Sequence, residues 1–341
     1  ILVTGHTGFK GTWLVNALLS FGSKVAGFSI NDNKRQTYEK LCEYKKIRNY
    51  YHDIKNIKKL DEVIKKFKPQ IIFHLAAQAL VSKSFTDPYE TINTNLVGTL
   101  NILEVVKNYK KVKSTVIITS DKCYLNQEIE RGYIESDILG GKDPYSASKA
   151  AAENIYFAYN ESFLKNQKNI GIATTRAGNV IGGGDWSKDR IIPDIIKSLI
   201  KNKKLIIRNK NSTRPWQHVL EPISGYLLLG LKLYQHPKKY SSSWNFGPNI
   251  RETLKVSELV RIFIKNLKIK SKIKIIYKNN KKFKESKLLR LNSSKAKKNL
   301  KWNNKWGMFK SIEETATWYE NFLKGKNMKS YSKNQIDKYF N

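Results

Sequence analysis

Short apolar runs alternate with amphipathic stretches along the first half of the chain. Residues 1–3 and 24–30 are apolar runs on either side of a stretch, about 11–21, where Trp13, Leu14, Ala17 and Leu18 recur at helical spacing. Further apolar runs at 71–75, 114–119 and 170–175 alternate with helical patterns around 58–67, 89–109 and 145–163, and 47–51 reads as one more short strand. Strands that alternate with helices in this way predict the α/β class, with a parallel, doubly wound sheet.

From Gly178 onward the alternation breaks. A glycine-rich turn, a helix near 193–201 and an arginine-bearing segment at 205–219 read as a smaller C-terminal lobe interleaved with the last parts of the sheet. The expected division is a first domain over 1–177, rejoined by about 205–245, and a lobe built from 178–204 and 246–325. Residues 326–341 are polar, rich in lysine and short of core positions, which predicts a loosely ordered tail.

A chain of 341 residues can bury a substantial core, and no apolar run approaches the roughly 18 to 20 residues that a bilayer-spanning helix needs. A soluble, cytoplasmic protein is expected, because the two cysteines, Cys42 and Cys123, lack the number and spacing of a disulfide framework. No His or Cys set has metal-ligand spacing, so no metal is expected. Lys and Arg total 63 against 28 Asp and Glu, a net charge of +35, but only ten of the basic residues are arginine. With no nucleic-acid-reading motif beside it, the excess reads as a solvated lysine surface, and specific nucleic-acid binding is not expected. A noncatalytic polyanion-binding role is the alternative reading.

The loop Gly5, His6, Thr7, Gly8, Phe9, Lys10, Gly11 directly follows the first strand and opens the first helix. Glycines there permit a tight turn and close approach of backbone amides to a pyrophosphate at a helix N-terminus, which makes the sheet a Rossmann-type dinucleotide domain. Asp32, at the end of the second strand, is placed to bond an adenosine ribose and favours NAD; Lys34 and Arg35 nearby leave NADP as the alternative.

Tyr145 and Lys149 stand four residues apart, so one helical face carries a phenol and an ammonium. A tyrosine base needs positive charge nearby, since a free phenol titrates near 10. Ser120 follows the strand 114–119, and Asp121 and Lys122 follow it directly. Ligands of open α/β folds bind at that edge of the sheet.

Segments GHTGFKGTWL at 5–14, HLAAQALV at 74–81, TSDKCY at 119–124, RAGNVIGGGDW at 176–186 and RPWQHVLEP at 214–222 resemble the NAD-dependent epimerase/dehydratase family of extended short-chain dehydrogenases, and within it the CDP-glucose 4,6-dehydratases. The resemblance runs to about Tyr319. It implies NAD as cofactor, with Gly5, Thr7, Gly8, Phe9, Lys10, Gly11, Asp32, Asp53, Ile54, Leu75, Ala76, Ala77, Tyr145 and Lys149 around it. It implies a catalytic set of Ser120, Asp121, Lys122, Tyr145 and Lys149. Gln78, Asn95, Asn179, Arg190, Arg208, Arg214 and His218 would border a nucleotide sugar. The activity implied is NAD-dependent dehydration of CDP-glucose for deoxysugar and surface-polysaccharide synthesis, by a homodimer formed through the helices at 89–109 and 145–163. A dehydratase or 4-epimerase of a dTDP-, GDP- or UDP-linked sugar is the alternative.

Overall fold

The computed structural model describes residues 1–32, 34–207, 209–269, 273–278 and 288–341. Seven strands form the central sheet: β1 (Leu2–Thr4), β2 (Ala26–Ser29), β3 (Arg48–Tyr51), β4 (Ile71–His74), β5 (Ser114–Ile118), β6 (Gly171–Arg176) and β7 (Ser243–Asn245). Every pairing is parallel, in the order β7-β6-β5-β4-β1-β2-β3. The chain winds outward one way from β1 and the other way from β4, which opens a crevice at the carboxyl ends of these two strands.

Alternation along the strands divides the core between two faces. Leu2, Ile72, Ile117 and Ile172 pack on one side with residues of the helices Ile57–Phe67, Gly98–Asn108 and Pro144–Tyr159. Val3, Phe73, Val116 and Ala173 pack on the other, against Phe9–Ser20 and Leu220–Gln235. Short connections fix the turns between these layers. Asn56 caps Ile57–Phe67 by accepting from the Lys59 amide at 3.1 Å, and Asp143 caps Pro144–Tyr159 by accepting from the Ser146 amide at 2.9 Å.

Two expectations for the second half are corrected. Residues 205–219 do not rejoin the main sheet: Leu205–Ile207 pairs with Ile275–Tyr277, Thr213–Arg214 with Leu254–Lys255, and Gln217–His218 with Val180–Ile181. The return begins at the helix Leu220–Gln235 and finishes with β7. Residues 326–341 are not a loose tail either. Met328–Phe340 is a helix that buries Met328, Ile336 and Tyr339, with Ser332 accepting from Trp318 Nε1 at 2.9 Å and Phe340 set edge-on to Phe21. Its partners lie far away in sequence, so its own polar composition hides the face they cover.

No helix of the described residues is long and apolar enough to cross a membrane.

Candidate active site

The first helix starts at Phe9, so Gly5 and Gly8 form the loop and Gly11 lies in the first turn. Gly5 has φ +70°, and a Cβ there would sit 2.6 Å from the Ala76 amide nitrogen; one on Gly11 would sit 2.2 Å from the Gly5 carbonyl oxygen. Only glycine brings this turn so close to β4 and its own helix. No side chain caps the helix and no acid occupies its first turn, so its opening amides and positive dipole end face the crevice. Leu75, Ala76 and Ala77 run alongside, the first two held through Thr4. Thr7 Oγ1 bonds Ser29 Oγ at 2.8 Å and joins the loop to the end of β2, just before Asp32. This cradle fits the pyrophosphate of a dinucleotide. Asp53 is tied to Lys55 instead of standing free, and Ile54 is buried beneath Gly98.

Beyond β5 the chain forms a single turn, Asp121–Cys123, capped by Ser120, whose Oγ accepts from the Lys122 amide at 3.2 Å and donates to Asp121 Oδ1 at 2.9 Å. Asp121 is buried and Lys122 half-buried. Tyr145 and Lys149 come up beside this turn on the helix Pro144–Tyr159, with the Tyr145 phenol near Ser120. Burial pushes Tyr145 up to about 12, opposed by Ser120 and by the charge of Arg190. Burial also pulls Lys149 down to about 8, with Glu153 resisting, and its Nζ lies 3.4 Å from the Ile118 carbonyl. Lys10, from the first helix, is likewise pulled to about 8 by burial and by Arg190, with Asp121 opposing. Ser120, Asp121, Tyr145, Lys149, Lys10 and Arg190 thus converge on one spot at the end of β5. A phenol among cations, beside a carboxyl and a lysine, suits proton removal and return on a small polar substrate.

The turn Gly182–Trp186 is stitched between distant helices. Trp13 Nε1 donates to the Gly183 carbonyl at 2.8 Å, Tyr319 OH donates to the Asp185 carbonyl at 2.6 Å, and a Cβ on Gly183 would strike the Trp318 ring. Asp185 in turn holds Arg190 at 2.9 Å. Arg214 is nearly buried in a short strand, and Asn179 takes φ +38° where the chain turns away from β6. Arg208 lies outside the described residues.

Three residues expected at the substrate are engaged within the protein. His218 is fully buried between Trp13 and Trp306, and burial holds it down at about 3, so it is a core histidine. Gln78 bonds the Leu80 carbonyl, the Leu80 amide and Thr91, and Asn95 bonds both backbone groups of Gln78 and the Ser148 hydroxyl. They brace the loop after β4 against the helix Pro144–Tyr159. Cys123 is buried and burial pushes its thiol well up, in keeping with packing.

Gly178 was not legible as a site residue, yet a Cβ there would fall 2.1 Å from Asp121 Oδ2. Glu153 and Arg176, paired and buried near the turn Asp121–Cys123, carry no signal in the sequence either.

The sequence profile described as GDP-mannose 4,6 dehydratase matches residues 2–315. The chain belongs to this family. The CDP-glucose 4,6-dehydratase of Salmonella typhimurium is 41% identical, with 99% of this chain and 95% of that protein covered. Among solved structures, the dTDP-glucose 4,6-dehydratase of Bacillus anthracis in complex with NAD superposes with a TM-score of 0.77 at 25% identity, covering 95% of this chain and 97% of that one. The UDP-glucose 4-epimerase of Thermotoga maritima, solved with UDP-glucose, shares the fold, with a TM-score of 0.80 at 20% identity over 94% of this chain and 99% of that one.

Proposed function

We propose that this member of the GDP-mannose 4,6-dehydratase family converts CDP-glucose to CDP-4-dehydro-6-deoxy-glucose. The observation that carries the reading is the near full-length, 41% identity to a CDP-glucose 4,6-dehydratase. It is supported by an acid and a lysine, Asp121 and Lys122, on the turn where Ser120 meets Tyr145.

The Gly5–Gly11 loop and Asp32 would hold NAD, which would supply the hydride chemistry that links C4 and C6 of the sugar. Tyr145 takes the proton of the 4-hydroxyl, with Ser120 holding the phenol and Lys149 favouring the phenolate. The C5 hydrogen, acidic once C4 is a ketone, goes as a proton to neutral Lys122, which gives a proton back to C5 when C6 receives the hydride. Asp121 gives a proton to the departing 6-hydroxyl, so that water leaves and no net oxidation results. Arg190 and Arg214 hold the diphosphate, for which guanidinium forks suit.

The helices around Pro88–Ile92 and Pro144–Tyr159 pack together and leave Tyr89, Ile92, Phe157 and Phe163 exposed. That apolar strip supports a homodimer formed through these helices. A cytoplasmic enzyme supplying deoxysugar for surface polysaccharide completes the reading.

Purified protein is to be incubated with CDP-glucose and, separately, with dTDP-, UDP- and GDP-sugars, and the products weighed. Loss of one water from CDP-glucose is expected. No water loss from any of them overturns the reading, and an isomerised product of unchanged mass moves an epimerase to its place.

A further inference from the structure

Glu153 lies one turn beyond Lys149 and two beyond Tyr145 on the same helix, with 1% of its side chain exposed. Its carboxylate pairs with Arg176 Nη2 at 2.7 Å and accepts from Thr174 at 2.7 Å, from Ser243 at 3.1 Å and from Thr119. One side chain of the catalytic helix is thereby bound to residues at or just beyond β5, β6 and β7. Arg176 carries the connection further, donating to Tyr124 OH at 2.7 Å and to the Glu135 carbonyl at 3.1 Å. Thr119 immediately precedes Ser120, Asp121 and Lys122, and Tyr124 follows Cys123. The catalytic turn is therefore pinned at one end through Glu153 and at the other through Arg176.

We infer that the Glu153–Arg176 pair positions the active site, fixing the helix that carries Tyr145 and Lys149 against the turn that carries Asp121 and Lys122. The two halves of the reaction need different partners. Oxidation uses the helix, elimination uses the turn, and both act on one sugar ring, so a displacement of about 1 Å between them costs turnover. A pair that served stability alone would be poorly chosen, since desolvation offsets most of the attraction in a buried ion pair and apolar residues of like volume do as well. Glu153 also faces Lys149, which is near Cys123 on the turn, Lys10 on the first helix and His74 at the end of β4 and shares its site with Tyr145, Asp121 and Arg190.

The inference rests on the dehydratase reading and is tested on the whole chain. In the apolar swap Glu153→Leu with Arg176→Met, every hydroxyl that loses a partner keeps another. Thr119 retains the Thr175 carbonyl at 3.1 Å, Thr174 and Ser243 retain each other at 2.8 Å, and Tyr124 retains Asn245 at 2.9 Å. The swap is expected to melt near the wild-type temperature while kcat falls by about 10²-fold and KM stays within a few-fold. Thr119→Val, which leaves the Glu153–Arg176 pair in place and removes the hydroxyl that links Glu153 to the turn together with its bond to the Thr175 carbonyl, is expected to lower kcat by about tenfold without moving the pH profile. Glu153→Gln removes a negative neighbour of Lys149, so the ammonium is lost more readily and the high-pH limb of the profile moves down by about one pH unit. Wild-type kcat in the swap or in Thr119→Val overturns the inference. If the wild-type enzyme turns over no sugar nucleotide, the dehydratase reading fails, and amide exchange at residues 121–124 without substrate decides the positioning role: faster exchange in Thr119→Val supports it, and an unchanged rate overturns it.

Discussion

Gly178 leaves room for Asp121: a Cβ on the glycine would lie 2.1 Å from the carboxylate Oδ2. The glycine stands two residues beyond β6 and the aspartate in the turn after β5, so neighbouring strand ends are fitted to each other at the point where a proton is to be delivered. Gly178→Ala is expected to keep the fold and the affinity for nucleotide sugar while kcat drops by about 10²-fold, because the carboxyl is displaced. Steady-state kinetics with a melting curve check it. A variant with wild-type kcat would remove Asp121 from the chemistry.

Asp121 and Lys122 are assigned to elimination and Tyr145 with Lys149 to oxidation, so the two pairs separate by variant. Asp121→Asn and Lys122→Met are expected to lower water loss by about 10²- to 10⁴-fold and to let reduced nicotinamide build up on the enzyme, visible by its absorbance. Tyr145→Phe is expected to stop the reaction before any reduced cofactor forms.

Glu221 is fully buried and accepts from the Trp306 amide at 2.7 Å, from the Lys305 amide and from Asn304, latching residues 304–306. Burial pushes its carboxyl from 4.5 up to about 7. The folded chain thus holds this proton more tightly than the unfolded chain, and the contribution to stability, on the order of 3 kcal/mol, is full at low pH and is lost as pH rises toward neutrality. Glu221→Gln is expected to melt higher than the wild type at about pH 8 and no higher at about pH 5, since the amide keeps an acceptor without the buried charge. Equal differences at the two pH values would contradict this.

The C-terminal helix Met328–Phe340 contributes to the core. Ile336 is 1% exposed, so Ile336→Ala is expected to cost about 2–5 kcal/mol. Denaturant unfolding measures it. A cost near zero would return the segment to a loosely held tail.

Elements whose signal is local were legible in the sequence. The glycine loop, the Tyr145 and Lys149 spacing and the alternation of strands with helices each declare themselves within a few residues, and each is found where the pattern puts it. Features that depend on distant partners were not. The helix at 328–340 shows its apolar face only against Trp306, Trp318 and Phe21. The family resemblance puts His218 at the substrate, although the apolar Val219 and Leu220 that follow it mark the core it joins. The strands at 205–218 have two or three residues each, too few for a period to set their partners. Gly178 and Glu153 carry their meaning in what they touch across the sheet, and spacing along the chain cannot convey that.

The most direct test follows label through the reaction. CDP-glucose deuterated at C4 is to be converted in ordinary water, and unlabelled CDP-glucose in heavy water, with products read by mass and NMR. Oxidation at C4, proton exchange at C5 and hydride return to C6 together require that the first product carry its deuteron at C6 and the second carry one at C5. A dehydrated product that has lost the C4 label, or no dehydrated product at all, would contradict the account.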